Sequence, residues 1–75
     1  MTAARELDAR GLVCPLPVLK ARKVLQGMAA GAVLKVSVTD DNAPADFKLF
    51  CAEAGHVLQD IRPNQNGFDI WLARG

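Results

Sequence analysis

Seventy-five residues allow one domain, near the lower limit at which a core holds without disulfides or metal. A 51 % hydrophobic content with few aromatics excludes a disordered chain. The net charge of +1 is unevenly divided: residues 1–23 carry five Lys/Arg against two Asp/Glu, and residues 24–75 carry four against six. The basic end points to an acidic partner there, although five basic groups are too few to indicate direct nucleic-acid binding.

Residues 1–10 contain no apolar core of secretory-signal length, and no later stretch approaches a membrane span, so a cytoplasmic protein with no membrane partner is expected. The only two cysteines, Cys14 and Cys51, are not a disulfide framework, and in a reducing compartment both are thiols. With one imidazole, His56, and no Cys-x-x-Cys pair, neither a metal nor a cofactor is expected.

Residues 5–9 alternate polar and apolar and predict a first strand with Leu7 and Ala9 inward. Arg10-Gly11 is the turn that follows, with Gly11 able to take a positive φ. Asp8 either bonds backbone in that turn or is a solvated strand carboxylate.

The next stretch, Gly11-Leu12-Val13-Cys14-Pro15-Leu16-Pro17, leads into a helix predicted over residues 18–28. Two prolines at alternate positions cannot lie inside a helix but fit its first turn, where N–H groups have no intrahelical acceptor. Cys14 then stands at the helix N-terminus. The dipole and the remaining N–H groups of Leu16 and Val18 favour a thiolate there, so a moderate depression of the thiol pKa is expected. A lone cysteine is more often buried filler, but the flanking prolines argue for a sulfur presented on a rigid platform.

On that helix Val18, Ala21, Val24, Leu25 and Met28 share one face with Pro17, which is the predicted core face. Leu16 and Leu19 fall on the other side. With Lys20, Arg22 and Lys23 around them they form either an apolar docking patch with a charged rim or leucines that pack on a neighbouring element.

Residues 27–31 are the exit turn, and residues 32–39 are a second strand with Leu34, Val36 and Val38 on one face. Asp40-Asp41-Asn42-Ala43-Pro44 offers candidate N-caps and a proline for the first position of a second helix, so Asp40 and Asp41 are read as capping groups rather than paired catalytic carboxylates. Ala43, Phe47, Phe50, Cys51 and Ala54 recur at helical spacing, which makes Cys51 core filler. Gly55 ends the helix, and His56 opens a third strand over residues 56–62 as a structural or exposed group. Pro63-Asn64-Gln65-Asn66-Gly67 predicts a hairpin through the tolerance of Asn-Gly for positive φ. Residues 68–73 close the sheet with Phe68, Ile70 and Leu72 inward and Trp71 outward, where it is either a contact point or a cover for the sheet.

The predicted order β-α-β-α-β-β, with right-handed crossovers, gives a two-layer α/β sandwich: a four-stranded mixed sheet with two helices on one face.

Leu7-Asp8-Ala9-Arg10-Gly11-Leu12-Val13-Cys14-Pro15-Leu16-Pro17 closely resembles the Cys-Pro-x-Pro signature of the TusA/SirA-like sulfur carriers, with its Leu-Asp-Ala-x-Gly-Leu approach. Thr39-Asp40-Asp41, Asp46, Phe50-Cys51 and the Gly55-His56 turn also look like that family. Family members often have proline directly after the Asp-Asp pair, whereas Asn42 stands there in this chain.

The resemblance spans nearly the whole chain as one sulfur-carrier domain, residues 1–75. It implies a fold like the C-terminal domain of bacterial translation initiation factor three. It also implies a persulfide carrier, loaded on Cys14 by a cysteine desulfurase or a rhodanese-type donor and unloaded onto an acceptor cysteine of a sulfur-relay protein, toward wobble-uridine thiolation of tRNA. Other members serve sulfur oxidation, thiosulfate use or molybdenum-cofactor supply. Such a protein performs sulfurtransferase-type chemistry without being a free-standing enzyme. Two readings of other classes stand beside it: a thiol redox protein using Cys14 with Cys51, and a regulatory or nucleic-acid-binding module.

Overall fold

The computed structural model describes residues 2–75. The elements in order are β1 (Arg5–Ala9), α1 (Leu16–Gln26), β2 (Val33–Val38), α2 (Ala43–Ala54), β3 (Val57–Pro63) and β4 (Phe68–Ala73). They build a four-stranded sheet of order β1-β2-β4-β3, in which β1 and β2 are parallel and the other two pairs antiparallel. The parallel pair follows from the α1 crossover, since strands joined through a helix return in the same direction. This is the mixed two-layer α/β sandwich that the pattern predicts.

Period-two alternation puts Ala9, Leu34, Val36, Val38, Ile70 and Leu72 on the inner face of the sheet. Ala21, Leu25 and Met28 of the first helical region and Ala43, Phe47 and Cys51 of α2 close over them. Phe47, Leu34, Ile70 and Leu72 are fully buried, and each such side chain contributes about 1.5–3 kcal/mol relative to exposure.

Several local expectations need correction. Helix α1 starts at Leu16 and stops at Gln26, so Pro15 takes the N-cap position and only Pro17 lies inside the first turn. The following Gly27 and Met28 close it with tight bonds to the Val24 and Leu25 carbonyls, 3.1 and 3.0 Å. In α2 Pro44 lies one position inside the start, after N-cap Asn42, whose side chain makes no capping bond.

The hairpin between β3 and β4 forms as expected, but not by positive φ: among the described residues only Gly11, Gly31 and Gly55 have it. Gly67 is required by space, because a Cβ there would stand 2.0 Å from the Val38 carbonyl oxygen. The loop is closed by Asn64 N–H to the Gly67 carbonyl, 2.9 Å, and Asn66 N–H to Asn64 Oδ1, 3.1 Å.

Trp71 does face away from the helices, yet it is only 7 % exposed. Lys35 Nζ and the Arg62 guanidinium lie 5.6 and 5.4 Å from its ring centre and cover it. Burial under these cations removes it as a contact point.

Candidate functional site

The cysteine loop is placed by the parallel strand pair. Because Ala9 is registered with Val38, the chain leaves β1 and β2 at the same end of the sheet. Gly11 turns there with φ 80°, a left-handed conformation that a side chain would strain. The Gly11 N–H donates to Thr39 Oγ1 at 2.8 Å and the Cys14 N–H to Asp40 Oδ2 at 2.9 Å. Two residues just past β2 thereby fix both ends of a four-residue loop whose thiol is exposed. The Cys14–Pro15 peptide bond is cis.

Asp40 is therefore not a side-chain N-cap. It spends one oxygen on the cysteine backbone and the other, at 3.4 Å, on the Asn42 N–H within its own turn. Asp8 does bond backbone in the first turn, accepting from the Arg10 N–H at 3.0 Å and from its guanidinium at 2.9 and 3.0 Å. The Arg10 guanidinium and N–H beside it lower the Asp8 carboxyl to about 2.

The thiol departs from expectation most sharply. The Leu16 N–H, needed to favour a thiolate, is taken by the Val13 carbonyl at 2.9 Å, and the Cys14 N–H is taken by Asp40. The Asp46 carboxylate, in the first turn of α2, lines the same groove as the thiol, and Asp40 adds a second negative charge nearby. Together they raise the Cys14 pKa instead of depressing it. Cys51 is core filler as expected, and burial pushes its thiol up.

On α1 the leucines outside the core face are open, Leu16 by 45 % and Leu19 by 51 %. Lys20 and Lys23 are exposed around them, so they are not packed on a neighbouring element. Arg22 stands on the flank toward α2, lining a shallow depression with Phe50, His56 and Arg74. His56 has a structural contact: its Nδ1 accepts from the Gly75 N–H at 2.9 Å.

Three neighbours of the thiol escaped the sequence reading. Val13 is 65 % and Leu49 62 % exposed, and Glu53 joins Asp46 beside Cys14 in a groove between α1 and α2. A signal existed for Leu49, which falls off the Ala43/Phe47/Cys51 face just as Leu16 and Leu19 fall off theirs.

Comparison with known proteins bears on this arrangement. The family model described as sulfurtransferase TusA matches residues 5–74. This chain belongs to the TusA family. It is 42 % identical over 70 residues to the sulfur carrier protein TusA of Allochromatium vinosum, covering 93 % of this chain and 92 % of that one. A provisionally named sulfur carrier of Neisseria meningitidis is 48 % identical over 64 residues, 85 % of this chain and 86 % of the relative. In structure the chain resembles the crystallised SirA-like protein of Desulfitobacterium hafniense, with a TM-score of 0.82, 29 % identity, and coverage of 95 % and 97 % of the two chains. The TusA match takes in the whole cysteine loop as well as Asp40 and Asp46. No helix among the described residues is long and apolar enough to cross a membrane.

Proposed function

We propose that this TusA-family protein is a sulfur carrier with Cys14 as its sole acceptor and residues 1–75 acting as one carrier domain. The Cys14 thiolate attacks the outer sulfur of a donor persulfide, forming Cys14–S–S⁻ while the donor's cysteine leaves as a thiol. An acceptor thiolate then attacks that outer sulfur and releases Cys14. Each step is exchange at sulfur and needs access and a thiolate fraction rather than a buried base.

The observation that carries this reading is the contrast in access: Cys14 is exposed on a loop pinned at both ends, whereas Cys51 is buried. The carboxylates of Asp46 and Asp40 beside it raise the Cys14 pKa and favour the thiol form, and a partner that neutralises them would favour the thiolate. Pro15, Pro17 and Gly11 shape the loop, Asp8 holds its approach, and Leu16, Leu19, Lys20 and Lys23 are the docking surface on α1, with Arg22 at its α2 flank.

The donor is a cysteine desulfurase or a rhodanese-type enzyme, and the sulfur moves in the cytoplasm toward tRNA wobble-uridine thiolation; the family resemblance supports this destination. Transfer from sulfur-labelled cysteine through a cysteine desulfurase, or from labelled thiosulfate through a rhodanese, tests it. Cys14→Ser is expected to abolish labelling and Cys51→Ser to leave most of it. Loss of labelling by the Cys51 change alone, in a variant that still folds, would refute the single-cysteine scheme.

A further inference from the structure

The groove that holds the thiol is lined by Cys14, Pro15, Val18, Asp46, Leu49, Phe50 and Glu53 and encloses about 220 Å³. Its floor is apolar, and Leu49 lies 62 % exposed on its α2 side. Asp46, Leu49, Phe50 and Glu53 are spaced three and four apart on α2, so they share one stripe along roughly 10 Å of helix. The stripe has a carboxylate at each end and apolar side chains between.

Among the described residues no cation lines this groove, and neither Asp46 nor Glu53 is in an ion pair. Across the cysteine, the open α1 surface has the opposite sign, with Lys20 and Lys23 around Leu16 and Leu19.

We propose that this groove seats a basic segment of a partner protein, one that places an apolar side chain between two Lys/Arg groups beside the partner's own reactive cysteine. Cys14 then lies on the seam between two docking faces of opposite charge. This deepens the carrier reading on which it rests: a protein that must meet a donor and an acceptor in turn can tell them apart by which face each one fits. Like charges brought together on the wrong face oppose docking, while opposite charges guide it.

The recruiting power of the groove is measurable without any sulfur donor. Two four-residue peptides, Lys-Leu-Cys-Lys and Glu-Leu-Cys-Glu with blocked ends, would carry their cysteine as a 2-pyridyl disulfide. The Cys14 thiolate attacks the peptide sulfur, forms a mixed disulfide and releases pyridine-2-thione, whose absorbance gives the rate. At low salt the cationic peptide is expected to react roughly three- to tenfold faster, the size of effect that two exposed charge pairs produce. Added salt should narrow the ratio.

Comparing the two peptides on one variant cancels any change in thiol acidity. Asp46→Asn with Glu53→Gln should bring the ratio close to one, and Glu53→Lys, a change at an exposed position, should bring it to or below one. Equal rates on the unmodified protein, a faster anionic peptide, or a cationic preference that survives both variants would overturn the proposal. Failure of sulfur loading would instead refute the carrier reading and leave this ratio unaffected.

Discussion

The two cysteines are chemically identical and both have raised pKa values, yet the fold gives them opposite standing. Cys51 is held up by burial on the apolar face of α2, beneath which Phe47 fills the core. Cys14 is held up by carboxylates while exposed. Acidity therefore does not distinguish the working thiol from the filler. Access and removable charge do: a partner can neutralise Asp46, but nothing short of opening α2 uncovers Cys51.

Selective alkylation should display this contrast at full size. In the folded protein Cys14 is expected to react at least about a hundredfold faster than Cys51, whose modification requires opening of the core. Phe47→Ala should break the contrast by removing the largest fully buried side chain, at a cost of about 3–5 kcal/mol, most of what a domain of this size has. Denaturant unfolding alongside alkylation checks both at once. If Cys51 stayed protected in a clearly destabilised variant, global opening would not be its route to reaction.

The next effect is on pH dependence. The alkylation rate of Cys14 should rise with pH to a midpoint above that of an ordinary thiol. Asp46→Asn should move that midpoint down, because the neutral amide no longer penalises the thiolate, while leaving Cys51 where burial puts it. An unmoved Cys14 profile would mean that Asp46 does not control the thiol.

The smallest expected effect is at Asp8, which is exposed. A carboxyl lowered in the folded state stabilises above its unfolded value and loses that contribution as pH falls through its folded value. The carbon chemical shift of the Asp8 carboxyl should thus titrate at about 2, and its pairing with Arg10 should fade from roughly pH 4 down to that point. A midpoint near 4 would show the pair to be open in solution.

What could be read from the sequence depended on distance along the chain. Periodicity located β1 and β4 to the residue, because alternation such as Phe68, Ile70, Leu72 is local. The same holds for Gly11 as a left-handed turn and for Cys51 on an apolar helical stripe. The thiol's acidity was not legible, since its sign depends on Asp40 and Asp46, brought close only by the pairing of β1 with β2. The hairpin at Gly67 is legible from the Asn-Gly pair, but the need for glycine is not, because its contact is with the Val38 carbonyl on another strand. The outward face of Trp71 is legible from alternation, but its cover is not, because it comes from Lys35 and Arg62 on the two flanking strands.

The central claim is that one thiol carries the sulfur. Intact-mass spectrometry after incubation with a cysteine desulfurase and cysteine, repeated with a rhodanese-type donor, tests it most directly when followed by peptide mapping without reductant. The account predicts a gain of one sulfur, confined to the peptide containing Cys14 and removed by a thiol reductant. Sulfur on the Cys51 peptide, a Cys14–Cys51 disulfide that accompanies activity, or no gain with either donor would contradict it.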